Sequence, residues 1–219
     1  QFCQLLQNSL YDLEQHTYSH LIFKQIASEV DREITYYGND ELLEVIREEV
    51  AKTSQLFRDL LYLDIHGLTT PYAFYDGLRD RPDILQVLHD EGIRFCRSYG
   101  RNMKGTGPVP LNVQPFFYSE QGFPDILECP LNGWQDVGWR ERFGWTANWE
   151  KQVFTELDYV SEHDLYLGVV QHDWSSIYED LEMDRTAKIL DYAAKCDVQI
   201  MNYRDFYEAV TSGRVLLKT

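Results

Sequence analysis

The sequence predicts an α/β domain with a mostly parallel sheet and helices outside it. Three observations carry that expectation. Short apolar runs alternate with amphipathic stretches along the whole chain, in the order strand, helix, strand, helix. The chain has 219 residues, 44% hydrophobic and 14% aromatic, enough for one core of the barrel or doubly wound type. The run Leu165 to Gln171 is almost continuously apolar, as a strand covered on both faces should be.

Element by element, Phe2 to Gln7 reads as the end of a helix, and Tyr11 to Gln15 as a strand that delivers His16. Asn39 to Leu60 is the clearest helix. Asn39 or Asp40 can cap it, and Leu42, Leu43, Ile46, Val50, Leu56 and Leu60 form its apolar stripe. Leu61 to His66 reads as a strand ending at Gly67. A helix opens at Arg81-Pro82-Asp83, with proline in its first turn, and runs to His89; Gly92 closes it before a strand from Ile93 to Arg97. Residues 100 to 124 are rich in Gly and Pro and read as one long loop, a common place for function. Ile126 to Pro130 is a short strand and Asn148 to Glu162 an amphipathic helix. Asp184 to Lys195 is a further helix, Val198 to Met201 the last strand, and Asn202 to Thr211 the last helix. The whole chain, 1–219, reads as one domain.

Bulk charge narrows the partners. A formal charge of −16 argues against a nucleic acid, whose phosphates call for clustered Lys and Arg, and against an anionic membrane surface. No apolar run is long enough for a membrane span and no signal peptide is present, so membrane insertion is not expected; the location stays open, with a lean to the cytoplasm. Cys3, Cys96, Cys129 and Cys196 are far apart in apolar contexts and read as reduced, buried thiols.

The chemistry-bearing residues sit at predicted strand ends. His16-Thr17-Tyr18-Ser19-His20 spaces two imidazoles so that one helical turn would put both on one face, where they can grip a metal ion, with a carboxylate to complete the set. That spacing alone is not specific. His16, His66 and His172 each fall at or just after a strand end, where barrels carry their functional groups. The strand Leu167 to Gln171 emits His172 and Asp173 at its tip, a candidate general acid with a carboxylate beside it. The competing reading of those two residues is a polar strand terminus at the surface.

Taken together, these segments resemble the polysaccharide deacetylase family, the NodB-homology carbohydrate esterases. His16 to His20 looks like that family's H-[S/T]-x-x-H metal motif, and Gly67 to Tyr72 looks like its R-x-P groove motif. Ile126 to Pro130, followed by Trp134 and Asp136, is similar to its groove segment. Leu167 to Asp173 is similar to the strand carrying its catalytic histidine. The resemblance implies a distorted (β/α)7 barrel and metal-dependent hydrolysis of a non-peptide C–N bond, typically an N-acetyl group on an amino-sugar polymer. It implies His16 and His20 as ligands of a divalent metal, zinc first and cobalt or nickel as alternatives. His172 becomes the general acid, with Asp173 and Asp136 as supporting carboxylates. Thr69, Pro71, Tyr72 and Trp134 line the substrate groove; Trp139 reads rather as ordinary packing. The expected partner is a carbohydrate or N-acetylated amino-sugar substrate, with oligomerisation left open.

Two departures stand out. The family's Asp-Asp motif supplies a base and a third ligand from a first strand, and it has no counterpart here. Only Asp12 and Glu14 are acidic among the fifteen residues before His16. With Gln rather than Met at position 1, the chain reads as processed or cut, and its barrel as lacking that strand. The groove motif also has Thr69 where the family has the arginine that orients the base. Arg97 or Arg101 could substitute for it, and Asp64 or His66 could supply ligands, although both read more naturally as strand-end groups of the groove. His89 and His163 read as surface residues, and Glu48-Glu49 and Glu179-Asp180 as solvated faces. The alternatives to a deacetylase are an inactive carbohydrate-binding relative and a small-amide hydrolase of the same family.

Overall fold

The computed structural model describes residues 11–24, 39–144 and 148–218. The expected helix from Phe2 to Gln7 and Cys3 lie outside them. In chain order the elements are α1 (Asn39–Leu61), β1 (Gly67–Tyr75), α2 (Pro82–Asp90), β2 (Phe95–Arg101), β3 (Phe116–Tyr118), β4 (Phe123–Glu128), α3 (Asp136–Phe143), α4 (Trp149–His163), α5 (Asp173–Glu179), α6 (Asp184–Lys195) and α7 (Tyr203–Thr211). The sheet has the order β1-β2-β4-β3. β1, β2 and β4 run parallel, and β3 closes antiparallel on β4. Among the described residues this is a mixed four-stranded sheet; closure into the expected (β/α)7 barrel is not seen.

Helix α1 lies against the sheet through Leu42, Ile46 and Val50, all buried. The buried stripe then continues on Thr53 and Ser54, so Leu56 and Leu60 at the end of the expected stripe are exposed. The helix ends with Tyr62 at φ 57 and the Tyr62 N–H bonded to Arg58 O, a left-handed cap built on tyrosine instead of glycine. The expected strand Leu61 to His66 is therefore an extended connection. Its alternation is real, with Ile65 buried and Asp64 and His66 exposed, but the ladder begins only at Gly67, opposite Phe95. A core of α1, α2, β1 and β4 residues, including Ile46, Leu68, Leu85 and Ile126, holds this half together. A second cluster joins α4 to α6 through Trp149, Val153, Leu157 and Ile189.

Five further segments differ from the sequence expectation. The loop 100–124 contains β3 and a 3-10 turn, Ser119–Gln121. Helices α3 and α5 were not expected; α3 carries a mid-helix glycine, Gly138, and α5 spans only seven residues, so neither shows a clear helical periodicity. The runs 165–171 and 198–201 form no strand and join no ladder among the described residues. The first is held by side-chain amides that imitate a neighbouring strand: Tyr166 N–H donates to Gln114 Oε1 at 2.8 Å, and Gly168 N–H to Asn132 Oδ1 at 2.8 Å. The Asn132 amide in turn donates to Tyr166 O at 2.9 Å. The approach is close enough that a Cβ on Gly168 would lie 2.4 Å from Pro130 O.

One buried carboxylate ties the sheet internally. Glu128 is fully buried at the end of β4 and accepts from Ser98 N–H, Tyr99 N–H, the Ser98 and Tyr118 hydroxyls and the Cys96 thiol. A buried charge survives only when its lone pairs are filled in this way. Cys96 and Cys129 are free and buried as expected, whereas Cys196 is only half-buried. No helix among the described residues is long and apolar enough to cross a membrane.

Candidate active site

The segment Tyr11 to Gln15 runs along the open edge of β1 in parallel sense, with Gln15 opposite Leu68. Thr69 N–H donates to Gln15 O at 3.0 Å. Buried Gln15 is also anchored by its amide on Ser54 of α1. This delivers His16 to the top of β1, where its Nδ1 meets Thr69 O at 2.7 Å. A ring so held by a backbone carbonyl has a fixed tautomer and leaves Nε2 free to bind something else.

The turn from His16 to His20 is not the helical turn that the spacing predicts. Thr17 and His20 both take positive φ, 61° and 62°. Ser19 N–H is captured by Glu49 of α1 at 2.7 Å, and Leu21 N–H by the Thr17 hydroxyl at 3.0 Å. The two rings nevertheless meet edge to face, centroids 4.8 Å apart, and His20 meets the Tyr72 ring at 5.3 Å. Burial lowers the pKa of His16; the bond to Thr69 O opposes this, and the charges of Arg97 and His172 push it further down. That influence brings His172 into the same electrostatic neighbourhood as His16.

His172 caps α5, with its ring on Asp136 rather than on the adjacent Asp173. Nδ1 lies 2.7 Å from Asp136 Oδ1, and the backbone N–H of His172 donates to Oδ2 at 2.9 Å. Asp136 is fully buried in the first turn of α3, with Arg140 Nη1 3.7 Å away and itself 2% exposed. Burial by itself would raise the Asp136 pKa, but the bonds from His172 outweigh it and hold the carboxyl below its ordinary value. Asp173 is exposed and accepts the Trp174 N–H at 2.7 Å. The Trp174 ring stands 5.7 Å from His172.

The groove segment is a distortion in β1. Thr69 pairs with Arg97 and Phe74 with Tyr99, so β1 takes five steps where β2 takes two. The surplus bulges out at Thr70 to Ala73. Pro71 fits there because it has no N–H to give a ladder. Tyr72 and Ala73 hold φ of 65° and 50°, a conformation that costs a non-glycine residue about 1 kcal/mol or more. Arg101 holds it in place: Nε donates to Tyr72 O at 2.9 Å and Ala73 O at 3.1 Å, and Nη1 to Gly105 O. Gly100 leaves room for the bulge, since a Cβ there would lie 2.7 Å from Ala73 Cβ.

Trp134 is half-buried and packs with Trp139 and Phe143 of α3 at 5.4 Å each. Trp139 belongs to the α4–α6 cluster, as its reading as packing expects. Asp64 and His66 precede β1 at its N-terminal end, away from His16 and His172; His66 Nδ1 lies near Gly92 O at 3.2 Å. His89 meets Asp125 at 3.1 Å, and exposed His163 bonds Tyr159 O.

Beneath Thr69 a cavity of about 340 Å³ opens beside Asp12 and Glu14. Arg204 pairs with both, at 3.2 Å and 2.8 Å. Burial and the charge of Asp12 raise the Glu14 pKa to about 7, against the pull of the Gly67 N–H and Arg204.

The structure brings His16, His20, Thr69 and Tyr72 together, with Arg97 opposite Thr69 in the ladder and Pro71 in the adjoining bulge, and separately pairs Asp136 with His172, whose charge is felt at His16. Arg101 supports the bulge and Arg140 the pair; Arg140 is legible afterwards as the i+4 partner of Asp136. As a metal half-site, His16 fits by its carbonyl-held ring and His20 by proximity. Among the described residues, however, no group of three His, Cys, Asp or Glu could hold an ion.

Comparison with known proteins is consistent with this layout at the level of fold. No family model and no curated protein sequence matches the chain. A solved structure described as a "putative polysaccharide deacetylase" from Mycobacterium smegmatis is similar, with a TM-score of 0.57 at 15% identity. The match covers 95% of this chain and 66% of that one, so this chain spans just under two thirds of its length. At that identity the likeness is one of fold, and the fold is related to that of the polysaccharide deacetylase structure.

Proposed function

We propose that the chain is a hydrolase of an amide C–N bond, with an N-acetylated amino sugar as the substrate class. The observation that carries this reading is the Asp136–His172 pair placed within electrostatic reach of His16. In the tautomer that donates from Nδ1 to Asp136, the His172 ring presents Nε2 as a proton acceptor. That nitrogen takes a proton from the attacking water and returns it to the departing nitrogen, a poor leaving group until protonated. His16 and His20 would hold a divalent ion, zinc, cobalt or nickel, as a two-histidine half-site. When bound, such an ion supplies Lewis acidity at the acyl oxygen. Thr69 and the bulge that follows it at Pro71 and Tyr72 would form the groove, with Trp134 as a further sugar-stacking surface and Asp173 as an exposed supporting carboxylate.

The test is release of the free amine from N-acetylglucosamine oligomers and from small amides. It compares the wild type with His172→Gln and with the double variant His16→Ala, His20→Ala, with metal content measured by elemental analysis. Turnover that falls by two or more orders of magnitude in His172→Gln, and bound metal that disappears in the double variant, support the reading. A wild type that binds the oligomers but releases no amine points instead to a carbohydrate-binding relative. That second reading draws on the commitment of Arg101 to backbone carbonyls, which leaves its Nε fork unavailable for orienting a base.

A further inference from the structure

The cavity under Thr69 contains a cation that the mechanism above does not use. Arg97 of β2 lines it; its Nε is shut away from solvent with no hydrogen-bond partner among the described residues, so the terminal Nη edge is the part that can face the cavity. The guanidinium lies 4.4 Å over the Tyr203 ring, a contact that orients its plane. The neighbouring carboxylates do not satisfy it. Asp12 and Glu14 spend their oxygens on Arg204 and on the N–H groups of His66 and Gly67.

We propose that this cavity binds a small carboxylate, gripped by the Arg97 fork and packed on the apolar floor of Leu68 and Phe95. The planar guanidinium edge matches two carboxylate oxygens. A volume of about 340 Å³ lies at the small end of ligand sites. A monoanion suits the site better than a phosphate dianion, because Asp12 and Glu14 stand on its wall and repel a second negative charge. Thr69 lines the cavity and its carbonyl holds His16, so the site is adjacent to the candidate catalytic face. The origin of the carboxylate rests on the hydrolase reading. Amide hydrolysis breaks the C–N bond, forms a C–O bond from water and passes the proton to nitrogen, so it yields a carboxylate; the other source is a carboxylate borne by the substrate itself.

The test uses the full chain and needs no turnover. Acetate, propionate and glucuronate are titrated by ligand-observed NMR, with acetamide as the neutral counterpart, against the wild type and Arg97→Met. In the wild type alone, mass mapping follows the modification of Arg97 by phenylglyoxal with and without propionate, which covers a variant that fails to fold. Expected are saturable binding of the carboxylates but not of acetamide, at least tenfold weaker binding to Arg97→Met, and slower modification of Arg97. Preference for acetate or propionate identifies the cleaved acyl group as the source, and preference for glucuronate identifies a substrate carboxylate. Absence of saturable binding, binding undiminished in Arg97→Met, or unprotected Arg97 overturns the proposal. Carboxylate binding in a chain that cleaves no amide would sink the hydrolase reading and leave this one standing.

Discussion

Replacing Asp136 by Asn tests the dyad at one atom. Asp136 is fully buried and receives two hydrogen bonds from His172, through the ring at 2.7 Å and the backbone N–H at 2.9 Å. A hydrogen bond to a charged group contributes about 1.5–3 kcal/mol net, and the amide keeps one good acceptor, so the loss is about 2–3 kcal/mol. In a domain of this size that lowers Tm by roughly 5–10 °C. The pH dependence follows from the depressed carboxyl. Its stabilisation is full above the pKa of an unfolded Asp and is lost as pH falls through the lower folded value. The gap between wild type and Asp136→Asn is therefore widest near neutrality and narrows below about pH 4. Thermal unfolding from pH 3 to 8 measures it, and an amine-release assay should show kcat falling with KM little changed. Equal Tm values at pH 7, or a gap that persists unchanged in acid, would refute the role given to the carboxylate.

Other expectations follow from particular contacts. Glu128→Gln puts an amide N–H among the five donors that surround the carboxyl group, and should cost about 1–3 kcal/mol in urea unfolding; a change under about 0.5 kcal/mol would show the network to be dispensable. Glu156 is buried, and burial raises its pKa against the bonds from Gln152 and the Trp134 N–H. The folded state therefore favours its protonated form, and stability is lost as pH rises from the unfolded pKa through the folded one. Glu156→Gln should raise Tm at pH 8 and give no gain at pH 4; the opposite trend in a thermal-shift series would contradict the sign. Gly100→Ala places a methyl group 2.7 Å from Ala73 Cβ. It should weaken oligosaccharide binding and lower stability by about 1–3 kcal/mol, as overpacking does, both measurable by calorimetry and unfolding.

Much of the layout was legible from the chain alone. Helices α1, α2, α4, α6 and α7 announced themselves because local periodicity, caps and turn residues agree with the final packing. Histidines at the ends of extended runs pointed to His16 and His172 for the same local reason. The sequence could not say which extended run finds a partner. Residues 165–171 have the apolar signature of a central strand, yet the N–H groups of Tyr166 and Gly168 go to the amides of Gln114 and Asn132, a choice made by residues 36 or more positions away. Nor could it choose Asp136 over Asp173 as the partner of His172. Adjacent residues on a chain point apart, and the carboxylate that reaches the ring comes from another element, 36 residues earlier. The bulge in β1 is likewise a tertiary decision. Thr70 to Ala73 carry no local signal for two consecutive left-handed residues; Arg101 and the bare face of Gly100 impose them from β2. The sequence determined where polar chemistry lies relative to apolar runs, because that depends on neighbours in the chain. Which of those groups meet depends on contacts between distant elements, which exist only once the elements have packed.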